Sequence, residues 1–514
     1  MKYKIHFHPF LFTLFSILSY WVTNKNFIFL KEIWRTVVIG LGGVGIVYLI
    51  LWFVLQKREK SAVLTSLLAV AFLSYGHGFY WLEGKIPYLD QPVPYFVLWL
   101  SLLLIGLYVV IRVCKQCNLL NSYLNWVSLI LVVFPLWQVM QALLSPSRQS
   151  VYLANVDANA APIPIVDPNQ RPPDIYYIIL DGYGRGDILA ELYSFDNSGF
   201  LDALQNRGFY VADQSHTNYV HTDHSLIASL SGNYLDSARL DPASADRTIL
   251  HGYPNKDAHL QRLRQLGYQI IALQDADALL QLYAADEIIS VNHTLNNFEL
   301  GFHDLTLGRF WSPTLYEYTQ WEIVRSQLGA LENLPANPER PHFVFAHLLS
   351  PHPPFVFDAN GNFVATNLYM AGDGSDYGGT VQEYISGYTG QVRYLNARLI
   401  KIIDHLLDVD TNRQPVIILQ GDHGPGAYLN WESLEKTCLR ERLAIFNAYY
   451  FPSEESRSKL YSSISPVNSL RLAFDQVLGQ PMDLLDDRSY FSTWESPYDF
   501  IEVTGSKDTC SPLQ

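Results

Sequence analysis

The stretch Asp174–Asp187, DIYYIILDGYGRGD, decides how the back of this chain folds. Ile175–Leu180 is an uncharged run of Ile, Tyr and Leu that stops at Asp181-Gly182. A run of that length, closed by a turn dipeptide, predicts a strand buried on both faces. FVFAHL (Phe343–Leu348) and PVIILQ (Pro415–Gln420) predict two more strands. FLDALQNRG (Phe200–Gly208) reads as a short amphipathic helix with a glycine stop, and AHLQRLRQLGYQIIAL (Ala258–Leu273) as helix, glycine, strand. The stretch from Val381 to Leu407 is mainly helical in pattern. Such alternation predicts an α/β domain over 174–514 with a mostly parallel or mixed sheet covered by helices.

Outward from that domain the composition changes. The chain has 514 residues and a net charge of −14. Residues 1–150 carry 12 Lys+Arg against 4 Asp+Glu, and residues 151–514 carry 23 against 45. An acidic domain repels a phosphate polymer, so a nucleic-acid partner is excluded. Residues 5–24, 36–56, 61–82, 91–111 and 118–147 contain no Asp, Glu, Lys or Arg. Each is about the ~20 residues that cross a bilayer core as helix, so 1–147 is expected to be a bundle of five spans. Lys and Arg in the short loops favour a cytoplasmic N-terminus. An odd span number then places the back half outside the cell membrane. Residues 148–173, rich in Pro, Ala and Asn, read as a linker. Cys438 and Cys510 are the cysteines of the back half and could pair in an oxidising compartment. Cys114 and Cys117 form a C-x-x-C at the end of the fourth stretch.

In parallel sheets, ligands bind beyond the carboxyl ends of strands. Asp181-Gly182 follows the first strand, Gly421-Asp422-His423-Gly424 follows PVIILQ, and Ser350-Pro351-His352-Pro353-Pro354 follows FVFAHL. Two carboxylates and an imidazole suit a divalent ion such as zinc or manganese. His221-Thr222-Asp223-His224-Ser225 opens a short helical pattern, with Thr222 as its expected N-cap. A hydroxyl there sits where backbone N–H groups accept an anion. A bound metal would make it a competent nucleophile.

These motifs, in this order, resemble the sulfatase-like branch of the alkaline-phosphatase superfamily. DIYYIILDGYGRGD opens the resemblance, VHTDHSLIASLSG holds the nucleophile position, FVFAHLLSPHPPFVFD is the middle motif and VIILQGDHG the Asp-His motif. Spans followed by such a domain look like lipoteichoic acid synthases and phosphoethanolamine transferases. The resemblance implies an α/β/α sandwich over 174–514. It implies Asp181, Thr222, Asp422 and His423 as ligands of one divalent metal ion, manganese or zinc, with calcium or magnesium as further options. It implies Thr222 as nucleophile and His352 as acid or contact to the transferred group, with His347 beside it. Sulfatases convert a Cys or Ser within C/S-x-P-x-R; here Thr222-Asp-His-Ser-Leu supplies neither the Pro nor the Arg. Lipoteichoic acid synthases have Glu where this chain has Asp181. The function implied is a membrane-anchored phosphotransferase or phosphodiesterase acting on a lipid-headgroup or envelope-polymer phosphoester. Sulfate-ester hydrolysis and a catalytically silent binding domain are the alternatives.

Overall fold

The computed structural model describes residues 6–25, 28–89, 91–114, 117–145, 172–235, 240–250, 258–274, 282–291, 293–335, 340–366, 368, 372–408, 413–478, 482–506 and 510. Up to residue 171, the linker expected over 148–173 lies outside them. The chain forms two compact units. The first is Met1–Pro146 with Leu295–Tyr316; the second is Ser147–Thr294 with Glu317–Gln514.

The first unit is built on five helices: α1 (His8–Asn24), α2 (Trp34–Leu55), α3 (Arg58–Leu82), α4 (Pro92–Tyr108) and α5 (Asn118–Leu144). The expectation of five spans is corrected here. Among the described residues four helices are long and apolar enough to cross a membrane: Leu30–Leu55, Arg58–Leu82, Pro92–Val113 and Asn118–Leu144. The first charge-free stretch, 5–24, yields α1 with 17 helical residues. At 1.5 Å per residue that is about 25 Å, short of a ~30 Å hydrocarbon core. Counting charge-free residues also overlooked the polar interior of α1. His8 is fully buried, with Nδ1 2.6 Å from Ser66 Oγ and Nε2 2.8 Å from Asn121 Oδ1. The opposite extreme is α2, which buries no residue and exposes Val38, Ile39, Ile46 and Phe53. Cys114 and Cys117 are joined at the α4–α5 corner.

The second unit is an α/β domain on a mixed seven-stranded sheet of order β2-β7-β6-β1-β5-β3-β4. Its strands are β1 (Ile175–Leu180), β2 (Tyr210–Val211), β3 (Gln269–Gln274), β4 (Glu287–Ser290), β5 (His342–Leu348), β6 (Val416–Gly421) and β7 (Asn447–Tyr450). The pairs β6–β1, β1–β5, β5–β3 and β3–β4 are parallel; β7 runs antiparallel to β6 and to β2. A separate pair, β8 (Tyr490–Phe491) and β9 (Ile501–Glu502), is antiparallel. The run that opened the sequence reading lies at the middle. Tyr176, Ile178 and Leu180 pack on one face with Leu395, Leu399 and Ile402 of the helix Val381–Asp408. Ile175, Tyr177 and Ile179 pack on the other with Leu226, Ile227 and Leu230 of the helix Thr222–Ser231. Each such side chain contributes about 1.5–3 kcal/mol by leaving water. The same packing holds the start of the helix Thr222–Ser231 at the sheet. Cys438 and Cys510 are bonded, with Cα atoms 4.8 Å apart.

Candidate metal centre and active site

Register brings the site together. Leu180 pairs with Leu348 on one side and Gly421 on the other. Asp181 and Asp422 therefore leave adjacent strands at the same level. Gly182 adopts φ +75°, a left-handed turn that suits glycine, and its N–H donates to Asp422 Oδ1 at 3.0 Å. Gly424 has no room for a Cβ, which would strike the Glu441 carbonyl. Its carbonyl accepts from His423 Nδ1 at 2.9 Å. That bond fixes the imidazole proton on Nδ1 and leaves the Nε2 lone pair facing inward.

Around Nε2 of His423 lie Thr222 Oγ1 at 3.0 Å, Asp422 Oδ2 at 3.3 Å and Asp181 Oδ1 at 3.4 Å. Asp181, Asp422 and His423 are buried. Neither Asp181 Oδ1 nor Asp422 Oδ2 has a hydrogen-bond partner. Two buried carboxylate oxygens without donors are costly unless a cation completes them. The donor set thus fits a divalent metal. Asp181, His347 and Asp422 also offer ligand atoms within 4.8 Å of one another. The helix Thr222–Ser231 begins at Thr222 with His221 as its N-cap, one residue earlier than the sequence pattern suggests. Thr222 thus stands in the first turn, where the helix dipole favours an anion.

His347 is the penultimate residue of β5, and its Nε2 lies 3.1 Å from Asp181 Oδ2. His352 follows in the loop; its Nδ1 donates to Pro353 O at 2.6 Å and its Nε2 lies 3.4 Å from Asp373 Oδ2. All six residues singled out in the sequence thus gather around Asp181, His423 and the loop after β5. Burial pushes the Asp181 carboxyl upward, but the charges of His352 and His423 and the bond from His347 outweigh it and hold it well below the ordinary range. Burial lowers His352, yet the carboxylates of Asp373 and Asp181 win and raise it above the usual imidazole value. His423 is lowered by burial and by Arg442.

Asp373 and Arg442 were missed by the sequence reading. Asp373 lies in a Gly-Asp-Gly-Ser-Asp turn with nothing to mark it. Its Oδ2 accepts from Arg442 Nη1 at 2.6 Å, its Oδ1 accepts from Tyr384 Oη, and its carbonyl accepts from Trp431 Nε1 at 2.9 Å. Arg442 is 1% exposed and also donates to Gly424 O and Val220 O, each at 3.0 Å. One buried guanidinium thus ties together the segment before Thr222, the loop after His423 and the carboxylate that holds His352.

The sulfatase family model matches residues 173–459. No curated protein matches the chain. Among solved structures, the chain is similar to the C-terminal periplasmic domain of EptC from Escherichia coli, at 13% identity and TM-score 0.43, covering 65% of this chain and 93% of that one. It is similar to the integral membrane protein lipooligosaccharide phosphoethanolamine transferase A from Neisseria meningitidis, at 13% identity and TM-score 0.38, covering 92% and 94%. A protein of the alkaline phosphatase superfamily from Vibrio parahaemolyticus is similar at 12% identity and TM-score 0.37, covering 68% and 82%. With more than half of its 514 residues inside the matched region, the chain belongs to the sulfatase family.

Proposed function

We propose that this protein is a membrane-anchored, metal-dependent phosphotransferase or phosphodiesterase that works through Thr222 on a lipid-headgroup or envelope-polymer phosphoester. The observation that carries the reading is the placement of Thr222. Its hydroxyl stands at a helix N-terminus, 3.0 Å from an imidazole nitrogen that also faces two unpartnered carboxylate oxygens. Asp181, Asp422 and His423, with Thr222, would hold one divalent ion, manganese or zinc. When bound, such an ion lowers the pKa of a coordinated hydroxyl and withdraws charge from a phosphoryl oxygen.

The residues do the rest. Thr222 Oγ1 gives up its proton to solvent and forms a bond to phosphorus as the bond to the leaving alcohol breaks. The N–H groups of Thr222 and Asp223, at the start of the helix Thr222–Ser231, face the phosphoryl oxygens. His352 gives its proton to the departing oxygen. A second alcohol, or water, then gives its proton to the neutral His352 and attacks the phosphothreonine, the Oγ1–phosphorus bond breaking to restore Thr222. A threonine cannot become formylglycine, which supports phosphoryl over sulfuryl chemistry. Four candidate spans remove the parity argument for placing the domain outside. Extracytoplasmic placement of the domain is part of this proposal, and the Cys438–Cys510 bond is compatible with it.

The test is a substrate panel on the full chain in detergent: a chromogenic phosphodiester, a phosphomonoester and a sulfate ester, each with manganese, zinc or calcium after chelation. Metal-restored phosphodiester turnover with a trapped phosphothreonine at residue 222 is expected. Sulfate turnover alone would overturn the reading. A silent binding domain would show no turnover and no retained metal.

His352 also sets a pH limit. As an acid it must be protonated, and its pKa is raised above the usual imidazole value by Asp373 and Asp181 against the effect of burial. Activity is therefore expected to fall as pH rises through that raised pKa. Asp373→Asn is expected to move that alkaline limb to lower pH, read from kcat/KM profiles of the two proteins.

A further inference from the structure

The segment Leu295–Tyr316 follows β4 in sequence, well past the last membrane helix, yet belongs to the first unit. Its placement there is specific. The helix Asn297–Asp304 starts with a reciprocal cap between Asn296 and Glu299. Arg35 at the start of α2 donates through Nε to Glu299 Oε1 at 2.6 Å, and its Nη2 pairs with Oε2. Phe298 and Phe302 pack on Tyr20 of α1 with ring centres 5.2 and 5.9 Å away. At the C-terminal end of α3, Gly76 N–H donates to Leu305 O at 2.9 Å, and a Cβ on Gly76 would collide with Asp304 and Leu305 backbone. Asp304 Oδ2 accepts from Tyr80 Oη and pairs with Arg309 Nη1 at 3.1 Å. The Arg309 guanidinium lies 4.3 Å from the Tyr80 ring centre and 4.5 Å from that of Phe79.

What this docking presents outward is apolar. Phe310 keeps one side on Tyr75 and Phe96, at 5.5 Å each, and is 48% exposed; Trp311 is 64% exposed. The neighbouring helix ends carry exposed aromatics too: Trp34 at the start of α2, Trp81 at the end of α3, and Tyr88 in the α3–α4 turn. Lys85 lies over Trp81 at 5.0 Å, and Lys31 over Phe29 at 5.4 Å. Aromatic rings with an apolar body, mixed with Lys and Arg, mark the level of lipid headgroups at span ends.

We propose that Leu295–Tyr316 is a lipid-contact element, with Phe310 and Trp311 inserted at the headgroup–acyl boundary of the bilayer. Phe310 packs on Tyr75 of α3 and Phe96 of α4, and α4 itself exposes Val93 and Val97. The element's charges, Glu299, Asp304 and Arg309, are turned inward and paired on the helices. That leaves aromatic surface toward the lipid and charge toward protein, the reverse of a water-facing hairpin.

The test uses the full chain in vesicles of phosphatidylcholine with phosphatidylglycerol. The four native cysteines are all in disulfides, so Trp311→Cys supplies a single thiol for a nitroxide. Trp311 is largely exposed, so its replacement leaves the packed side of the element intact. Relative access to oxygen and to a water-soluble nickel chelate gives depth. A depth of about 5–10 Å into the headgroup–acyl boundary is expected, and the same depth at Trp81→Cys. Ile46→Cys, exposed midway along α2, is the deep reference, and free nitroxide in buffer the shallow one. Nickel access at Trp311→Cys equal to the free label would overturn the proposal, as would a depth equal to Ile46→Cys.

Discussion

Thr222→Ala is expected to lower metal-dependent phosphodiester turnover by about 10³-fold or more, the scale on which nucleophile deletions act. That corresponds to roughly 4 kcal/mol of lost transition-state stabilisation at least. The side chain lost is small and sits in the first turn of the helix Thr222–Ser231, whose Leu226, Ile227 and Leu230 stay packed under the sheet. The fold should therefore survive, and thermal unfolding should move little. Asp181, Asp422 and His423 remain, so metal content is expected to fall less than activity. Thr222→Ser keeps the hydroxyl and is expected to keep part of the turnover. The measurement is kcat for the three proteins beside metal content by elemental analysis. Full activity in Thr222→Ala would remove Thr222 from the mechanism.

Arg442→Met is expected to destabilise the second unit by about 3–5 kcal/mol, because it strands a buried partner charge. Arg442 and Asp373 are each 1% exposed, and Nη1 meets Oδ2 at 2.6 Å. Without the guanidinium, Asp373 keeps its bond from Tyr384 and His352 at 3.4 Å. Two backbone carbonyls, Val220 O and Gly424 O, also lose a donor. Combining Arg442→Met with Asp373→Asn removes the stranded charge and is expected to recover a large part of the loss. Urea unfolding of the single and double variants measures it. An equal loss in both would assign the cost to packing and the carbonyls rather than to charge.

Much of the second unit was legible because its signals are local. Ile175–Leu180 and Val416–Gly421 became β1 and β6 because short apolar runs closed by turn residues suit a strand covered on both faces. Gly208 and Gly267 both take positive φ after the helices they were read as stopping. Asp181, Asp422 and His423 were legible because they sit directly after such strands. Asp373 and Arg442 were not, since each is one polar residue in a polar segment and acquires meaning only across a separation of 69 residues. Charge-free length misjudged α1, because a helix that buries His8 beside Ser66 and Asn121 looks the same in composition as one facing lipid. Leu295–Tyr316 carried no signal at all, as its partners Arg35, Gly76 and Tyr80 lie far upstream, on α2 and α3.

The position of β1 has a consequence for biosynthesis. It is the first strand to be made and stands at the middle of the order, between β6 and β5. Ile175 pairs with Phe343 and with Val416, both made long after it. The nascent chain must therefore carry β1, an apolar run, with both edges open until β5 has emerged and with one edge open until β6 follows. Open edges of this kind recruit other chains, and long-range parallel pairing is slow. A ribosome that stalls ahead of Val416 releases a chain whose central strand lacks half its hydrogen bonds, so no shorter fragment from the N-terminal side can serve as a working, smaller version of the unit.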